Sequence, residues 1–143
     1  KALKKELSGI NFKSGSAELT TDSYTHLLNI AEFLKRYPYL KYEIQGHTDS
    51  RGDDNYNLLL SAARASSVRE FLQKKEIPDS QMIAIGYGET RPIAPNEGAA
   101  GRAQNRRVQF EIIESPDTYE KLKLMQADFR EQVRDAQIKG SRM

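Results

Sequence analysis

Asp49 ends the stretch Gly46-His47-Thr48-Asp49, which closes an alternating apolar run, and Arg64 lies in the amphipathic segment that follows. An acid at a strand end and a base near the start of the next helix suit a small zwitterion, a molecule carrying its own ammonium and carboxylate. Asn57, Ser61 and Arg64 are spaced by four and three, so they stack along one side of that helix. The end of a strand is where α/β sheets place ligands. A helix start adds free amide donors and the positive end of the helix dipole, both favourable to a carboxylate. Arg64 can grip a carboxylate with two parallel bonds, as lysine cannot, while Asp49 can accept from an ammonium. Each such bond is worth about 1.5–3 kcal/mol when shielded and much less when exposed. Spacing alone favours a plainer reading, in which Asp49 and Arg64 pair only with each other and hold the loop on the helix.

The elements that must position these groups are legible from period and punctuation. Gly9-Ile10-Asn11-Phe12 reads as a short first strand ended by the turn residues Ser14-Gly15-Ser16. Thr20, Thr21 and Asp22 open a helix whose Leu27, Ile30, Ala31 and Leu34 form one buried stripe, stopped at Tyr37-Pro38. Leu40, Tyr42 and Ile44 alternate with Lys41, Glu43 and Gln45, a strand with one wet face. After the Gly/Asp/Ser/Asn loop at 49–55, a helix is expected over residues 56–74, with Ser61, Ala62 and Ala65 small enough for close packing on a sheet. Ile77-Pro78-Asp79 turns into a third strand at 82–85, closed by Gly86-Tyr87-Gly88. A Pro/Gly/Ala/Asn loop, with a helical turn near 97–102, leads to a fourth strand around Val108, Phe110 and Ile112. The order β-α-β-α-β-β predicts an α/β (α+β) sandwich, with both helices on one face of a small mixed four-stranded sheet. A C-terminal helix follows at 119–138, with Leu122, Met125, Phe129 and Val133 on one face. That stripe could fold back on the domain, or dock on a partner or a second copy.

Composition narrows the function. The 143 residues are 38% hydrophobic and 29% charged, with a formal net charge of +2. That suffices for one domain with a core and falls short of the clustered basic charge expected of a nucleic-acid binder. Lys1-Lys4-Lys5 and Arg102-Arg106-Arg107 are short and separated. Cysteine is absent, which removes disulfides and thiolate metal sites. No apolar run approaches the roughly 20 residues needed to cross a bilayer, and the expectation is of a processed or truncated part of something larger.

The chain resembles the OmpA-like peptidoglycan-binding domain found at the ends of outer-membrane porins, peptidoglycan-associated lipoproteins and flagellar stator proteins. The resemblance is carried by Ile10-Asn11-Phe12 with Gly15-Ser16-Ala17 and Leu19, then Ile44 to Asp49, Gly52, Tyr56-Asn57, Leu60-Ser61 and Arg64-Ala65. Val68, Leu72, Ile85 to Glu89, Pro92 and Asn105-Arg106-Arg107-Val108 complete it. It implies noncovalent binding of peptidoglycan through the diaminopimelate of the stem peptide, with no cofactor, in the periplasm of a Gram-negative bacterium as part of an outer-membrane-associated protein. By that resemblance Asp49 and Arg64 take the amino and carboxylate groups of diaminopimelate. Thr48, Asn57 and Leu58 line the same pocket, and Arg107 forms a basic rim with Arg106 beside it. Lys13 stands where many members carry an aspartate, which alters any acidic contact from the first strand. The expected division is a lead-in at 1–8, the binding domain at 9–114 and an amphipathic extension at 115–143, whose removal should leave wall binding intact.

Three rivals are weaker. His47 and Asp49 form a His-x-Asp pair, but His26 is the only other histidine, too few ligands for a metal site; His47 is expected to support the loop instead. A peptidoglycan hydrolase needs two carboxylates at a set separation, and Glu89, the partner available to Asp49, sits in a polar surface turn. Gly86-x-Gly88 lacks the third glycine and the following helix of a dinucleotide loop.

Overall fold

The alternation at 40–45 forms the centre of the sheet. Lys41–His47 (β1) runs parallel to Met82–Gly88 (β2) and antiparallel to Arg107–Ile113 (β3), in the order β2-β1-β3. The computed structural model describes residues 10–141, so the lead-in expected at 1–8 lies outside the described residues. Among the described residues four α-helices accompany the sheet: α1 Ser23–Lys35, α2 Asp54–Lys74, α3 Ala99–Asn105 and α4 Pro116–Ala136.

The mixed sheet has three strands among the described residues, where four were expected. Phe12 makes a single antiparallel bridge to Leu19, and the Thr20 and Lys13 amides donate to the Asn11 and Glu18 carbonyls at 3.0 and 2.9 Å. Residues 10–20 therefore double back on themselves through Gly15, whose φ is +59°. A stretch this short meets its backbone partners nearest in sequence before it can extend a sheet.

Both α1 and α2 pack on one face of the sheet, as expected. Leu27, Ile30 and Leu34 of α1 and Ala65, Val68 and Leu72 of α2 enclose Tyr42, Ile44, Met82, Ala84, Val108 and Phe110. Each fully buried aliphatic side chain contributes roughly 1.5–3 kcal/mol. Helix α2 lies unusually close to the strands. Gly46 and Gly86 sit opposite one another on β1 and β2, and a Cβ on either would collide with the α2 backbone at Ser61 or Ala62. That approach places the start of α2 at the end of β1, where Asp49 emerges.

Helix α4 folds back rather than projecting outward. Ser115 caps it by accepting from the Thr118 amide. Leu122, Phe129 and Val133 are buried with Leu59 and Ala63 of α2 and Ile83 and Ile85 of β2. The Gln126 Oε1 accepts from the Ala84 amide at 2.7 Å, satisfying a donor on the free edge of β2. Met125, expected on the buried stripe, is exposed.

Candidate ligand-binding site

At one end of the sheet the C-terminus of β1, the N-terminus of β3 and the first turns of α2 surround a cavity of about 520 Å³. Its wall includes Thr48, Asp49, Asn57, Arg64, Arg106 and Arg107, together with Arg51 and Phe12. Six positions singled out in the sequence thus share one cavity. Leu58 does not line it; it packs beside Gly88 in the cluster under α4, and the neighbouring Leu60 faces the cavity instead.

Asp49 is held by the loop that it begins. Its Oδ1 accepts from the Arg51 amide at 2.9 Å, a side-chain turn that aspartate forms readily. Its Oδ2 accepts from Arg106 Nη1 at 2.6 Å, with Arg51 Nε at 4.0 Å. Burial alone would raise the Asp49 carboxyl, but the Arg51 amide and the Arg106 and Arg51 guanidiniums outweigh it and hold the carboxyl below its ordinary value.

The plain ion pair between Asp49 and Arg64 is not formed. Arg64 Nε donates to the Ser16 carbonyl at 2.8 Å, and its guanidinium lies 5.0 Å over the Phe12 ring. Burial lowers its pKa, though a guanidinium remains charged at neutral pH. With one edge bonded and one face stacked, its remaining donors are pre-oriented.

Thr48 and Asn57 brace the loop. The Thr48 amide donates to the Gly88 carbonyl at 2.9 Å and its hydroxyl to the Asp49 carbonyl at 2.8 Å. Asn57 Nδ2 donates to the Arg51 carbonyl at 2.8 Å. Arg107 is committed elsewhere, with its donors on Gln109 Oε1 and on the Asn105 and Arg91 carbonyls. The free amides expected at the start of α2 are also partly taken, because Asp53 caps the helix by accepting from the Tyr56 amide at 2.8 Å. His47 does not brace the loop. Its Nε2 meets Gln45 Oε1 at 3.1 Å within β1, and burial followed by Arg107 and Arg91 depresses its pKa to about 3. Among the described residues no group of three acids or histidines is placed to hold a metal ion.

The Arg51 and Arg106 contacts to Asp49 were not foreseen. A signal existed for Arg106: it precedes the strand in which Arg107 pairs with His47, which carries it to the Asp49 loop. Among the described residues the cavity wall sets four guanidiniums, from Arg51, Arg64, Arg106 and Arg107, against the one carboxylate of Asp49.

The model of the OmpA family matches residues 11–106. The chain belongs to the OmpA family. Over 103 residues this OmpA-family chain is 42% identical to outer membrane porin F of Pseudomonas fluorescens, covering 72% of this chain and 32% of the porin. It thus spans about a third of the length of that curated relative. The crystal structure of the peptidoglycan-associated lipoprotein from Burkholderia pseudomallei aligns with a TM-score of 0.67 at 35% identity, covering 73% of this chain and 88% of that one. The cell wall anchor of the T6SS from Pseudomonas aeruginosa aligns with a TM-score of 0.65 at 33% identity, covering 78% of each.

Proposed function

We propose that this domain binds peptidoglycan noncovalently, without catalysis, through the zwitterionic head of the stem-peptide diaminopimelate, and so anchors an envelope protein to the cell wall. The observation that carries the reading is the single cavity in which the buried Asp49 carboxylate and the oriented Arg64 guanidinium stand unpaired with each other. The chain's similarity to a peptidoglycan-associated lipoprotein and to a cell wall anchor supports it, and a periplasmic location follows from it. No helix among the described residues is long and apolar enough to cross a membrane.

The geometry suggests how binding proceeds. The excess of guanidiniums draws in a carboxylate, which Arg64 holds with its remaining donors. The ammonium on the same carbon takes the place of Arg106 at Asp49 Oδ2. Arg106, with a side chain 45% exposed against 8% for Asp49, moves out at little cost and adds a second cation beside the carboxylate. A bare amine must break the Asp49–Arg106 pair without offering Arg106 an anion, so both charges of the ligand are read together. One such site gives affinity of about micromolar order, and firm anchoring comes from many copies on a polymeric wall.

Titration by calorimetry with diaminopimelate and with N-acetyl-lysine amide, which keeps the side-chain ammonium but has no carboxylate, separates the readings. Diaminopimelate should bind and the lysine derivative should fail; equal binding would mean that only the acid is read. Prolonged incubation with purified sacculi should release no soluble fragments, and release would mean hydrolysis.

A further inference from the structure

Beyond the family match, the chain after α4 returns to the ligand site. Helix α4 ends at Gln137, whose φ of 54° turns the chain back, and Ile138 is buried in the cluster under α4. The Lys139 carbonyl then accepts twice from the turn near the cavity, from the Ala17 amide at 2.8 Å and from Ser16 Oγ at 3.1 Å. Gly140, with φ +81°, lies so close to this turn that an added Cβ would stand 2.6 Å from the Glu18 nitrogen and 2.9 Å from Ser16 Oγ. Ser16 and Ala17 are almost wholly buried, and it is the Ser16 carbonyl that accepts from Arg64 Nε.

We infer that residues 138–140 act as a strap that positions Arg64 through the Ser16 turn. Two bonds run from the strap to the buried Ser16 and Ala17, and one runs on from the turn to the guanidinium. Within itself the turn is closed by the Lys13 amide on the Glu18 carbonyl at 2.9 Å, the Ser16 amide on the Lys13 carbonyl at 3.1 Å, the Glu18 amide on Ser16 Oγ at 2.9 Å and the exposed Lys13–Glu18 ion pair. Beyond the strap and Arg64 it is tied to α2 by a weak 3.4 Å bond from the Tyr56 hydroxyl to the Gly15 carbonyl. Without the Lys139 carbonyl, the Ala17 amide and the Ser16 hydroxyl lose their acceptor in a buried place, and the turn must shift to find another. A carboxylate held in two-pronged fashion tolerates little misplacement of its guanidinium. The strap therefore sets ligand affinity from outside the cavity, and the expectation that binding survives loss of everything after Ser115 is reversed. The effect on affinity rests on the reading of Arg64 as a ligand contact; the effect on Arg64 itself does not.

The test uses Gly140→Val and Ser16→Ala in the full chain. Gly140→Val pushes the strap off the turn, and Ser16→Ala removes one of the two strap bonds, together with the turn's own Glu18 amide–Ser16 Oγ bond, while keeping the carbonyl that Arg64 uses. The Arg64 Nε–H resonance is followed by NMR without ligand, beside diaminopimelate affinity and thermal unfolding. Gly140→Val should speed exchange of the Arg64 Nε–H and weaken affinity about tenfold or more while unfolding stays cooperative, with a smaller change of the same sign in Ser16→Ala. A merely structural strap would lower the melting temperature and leave the Arg64 signal of the folded molecules unchanged, which overturns the inference. Should Gly140→Val fail to fold, an unchanged Arg64 signal in folded Ser16→Ala overturns it equally. Faster Arg64 exchange in a protein whose parent chain binds no diaminopimelate would support the strap and sink the proposed ligand.

Discussion

Two buried polar regions meet along β1, and they are built on opposite principles. Beneath the sheet, Glu43, Gln45 and His47 point to the face away from α1 and α2 and bond to one another, with His47 Nδ1 buried and left without a partner. Gln45 Nε2 donates to Glu43 Oε1 at 2.9 Å, the Tyr87 hydroxyl donates to Glu43 Oε2, and His47 meets Gln45 Oε1 while stacking on Tyr87 at 5.6 Å. Because Gln45 gives its amide to Glu43, its oxygen must accept, so His47 donates from Nε2; with its pKa depressed to about 3 the ring is neutral at pH 7. Just past the same strand, Asp49 and the four arginines are charged, and a half-exposed side chain holds the one ion pair that a ligand must replace. The contrast teaches that burial of polar groups does not by itself mark a site. What marks it is charge left exchangeable beside charge held fixed.

The largest effect should come from the exchangeable region. Asp49→Ala and Arg64→Ala are each expected to weaken co-sedimentation with sacculi by roughly 10- to 100-fold, with urea midpoints close to the parent. Full binding by both folded variants would reduce the region to structure. Next comes the closed ladder. Gln45→Leu leaves Glu43 and the His47 Nε2–H without their partner and should cost about 1–3 kcal/mol of stability, read by urea unfolding, while wall binding per folded molecule is unchanged. A binding loss there would erase the distinction between the regions.

The pH responses should separate the regions more finely. His47 is depressed from 6.5 to about 3 in the folded chain, so between those values the unfolded chain takes up a proton that the folded chain refuses. Its stabilising contribution is full above 6.5 and is lost as pH falls toward 3. Asp49 is also depressed; its contribution is present above the ordinary aspartate value and disappears only as pH drops through the lower folded value. Melting temperature should therefore begin to fall below pH 6.5 while affinity for diaminopimelate holds into the ordinary carboxylate range. His47→Gln should flatten the upper part of the melting curve. Affinity and stability falling together from pH 6.5 would assign both to one group.

Much of this was legible in the chain because it rests on short-range regularities. The alternation at Tyr42 and Ile44 gave β1, the stripe at Leu27, Ile30 and Leu34 gave α1, and the small residues Ser61 and Ala62 do sit where α2 meets Gly46 and Gly86. The gathering of Asp49 and Arg64 followed from a strand end preceding a helix start. What escaped depends on partners distant in sequence. Arg106 reaches Asp49 only through the pairing of β3 with β1. The first strand was lost because residues 10–12 find Leu19 and Thr20 nearer than a sheet edge. The strap left no periodic trace at all, since a carbonyl at Lys139 carries no side-chain signature. Leu58 was misplaced: Leu60, two residues on and about 200° round the helix, faces the cavity instead.

The most direct test is a crystal structure of this domain with diaminopimelate bound. The ammonium should replace Arg106 at Asp49 Oδ2, and the carboxylate on the same carbon should lie against Arg64, with the Arg64–Ser16 bond preserved. A ligand seated in the cavity with the Asp49–Arg106 pair still closed, or with Arg64 untouched, would contradict the account.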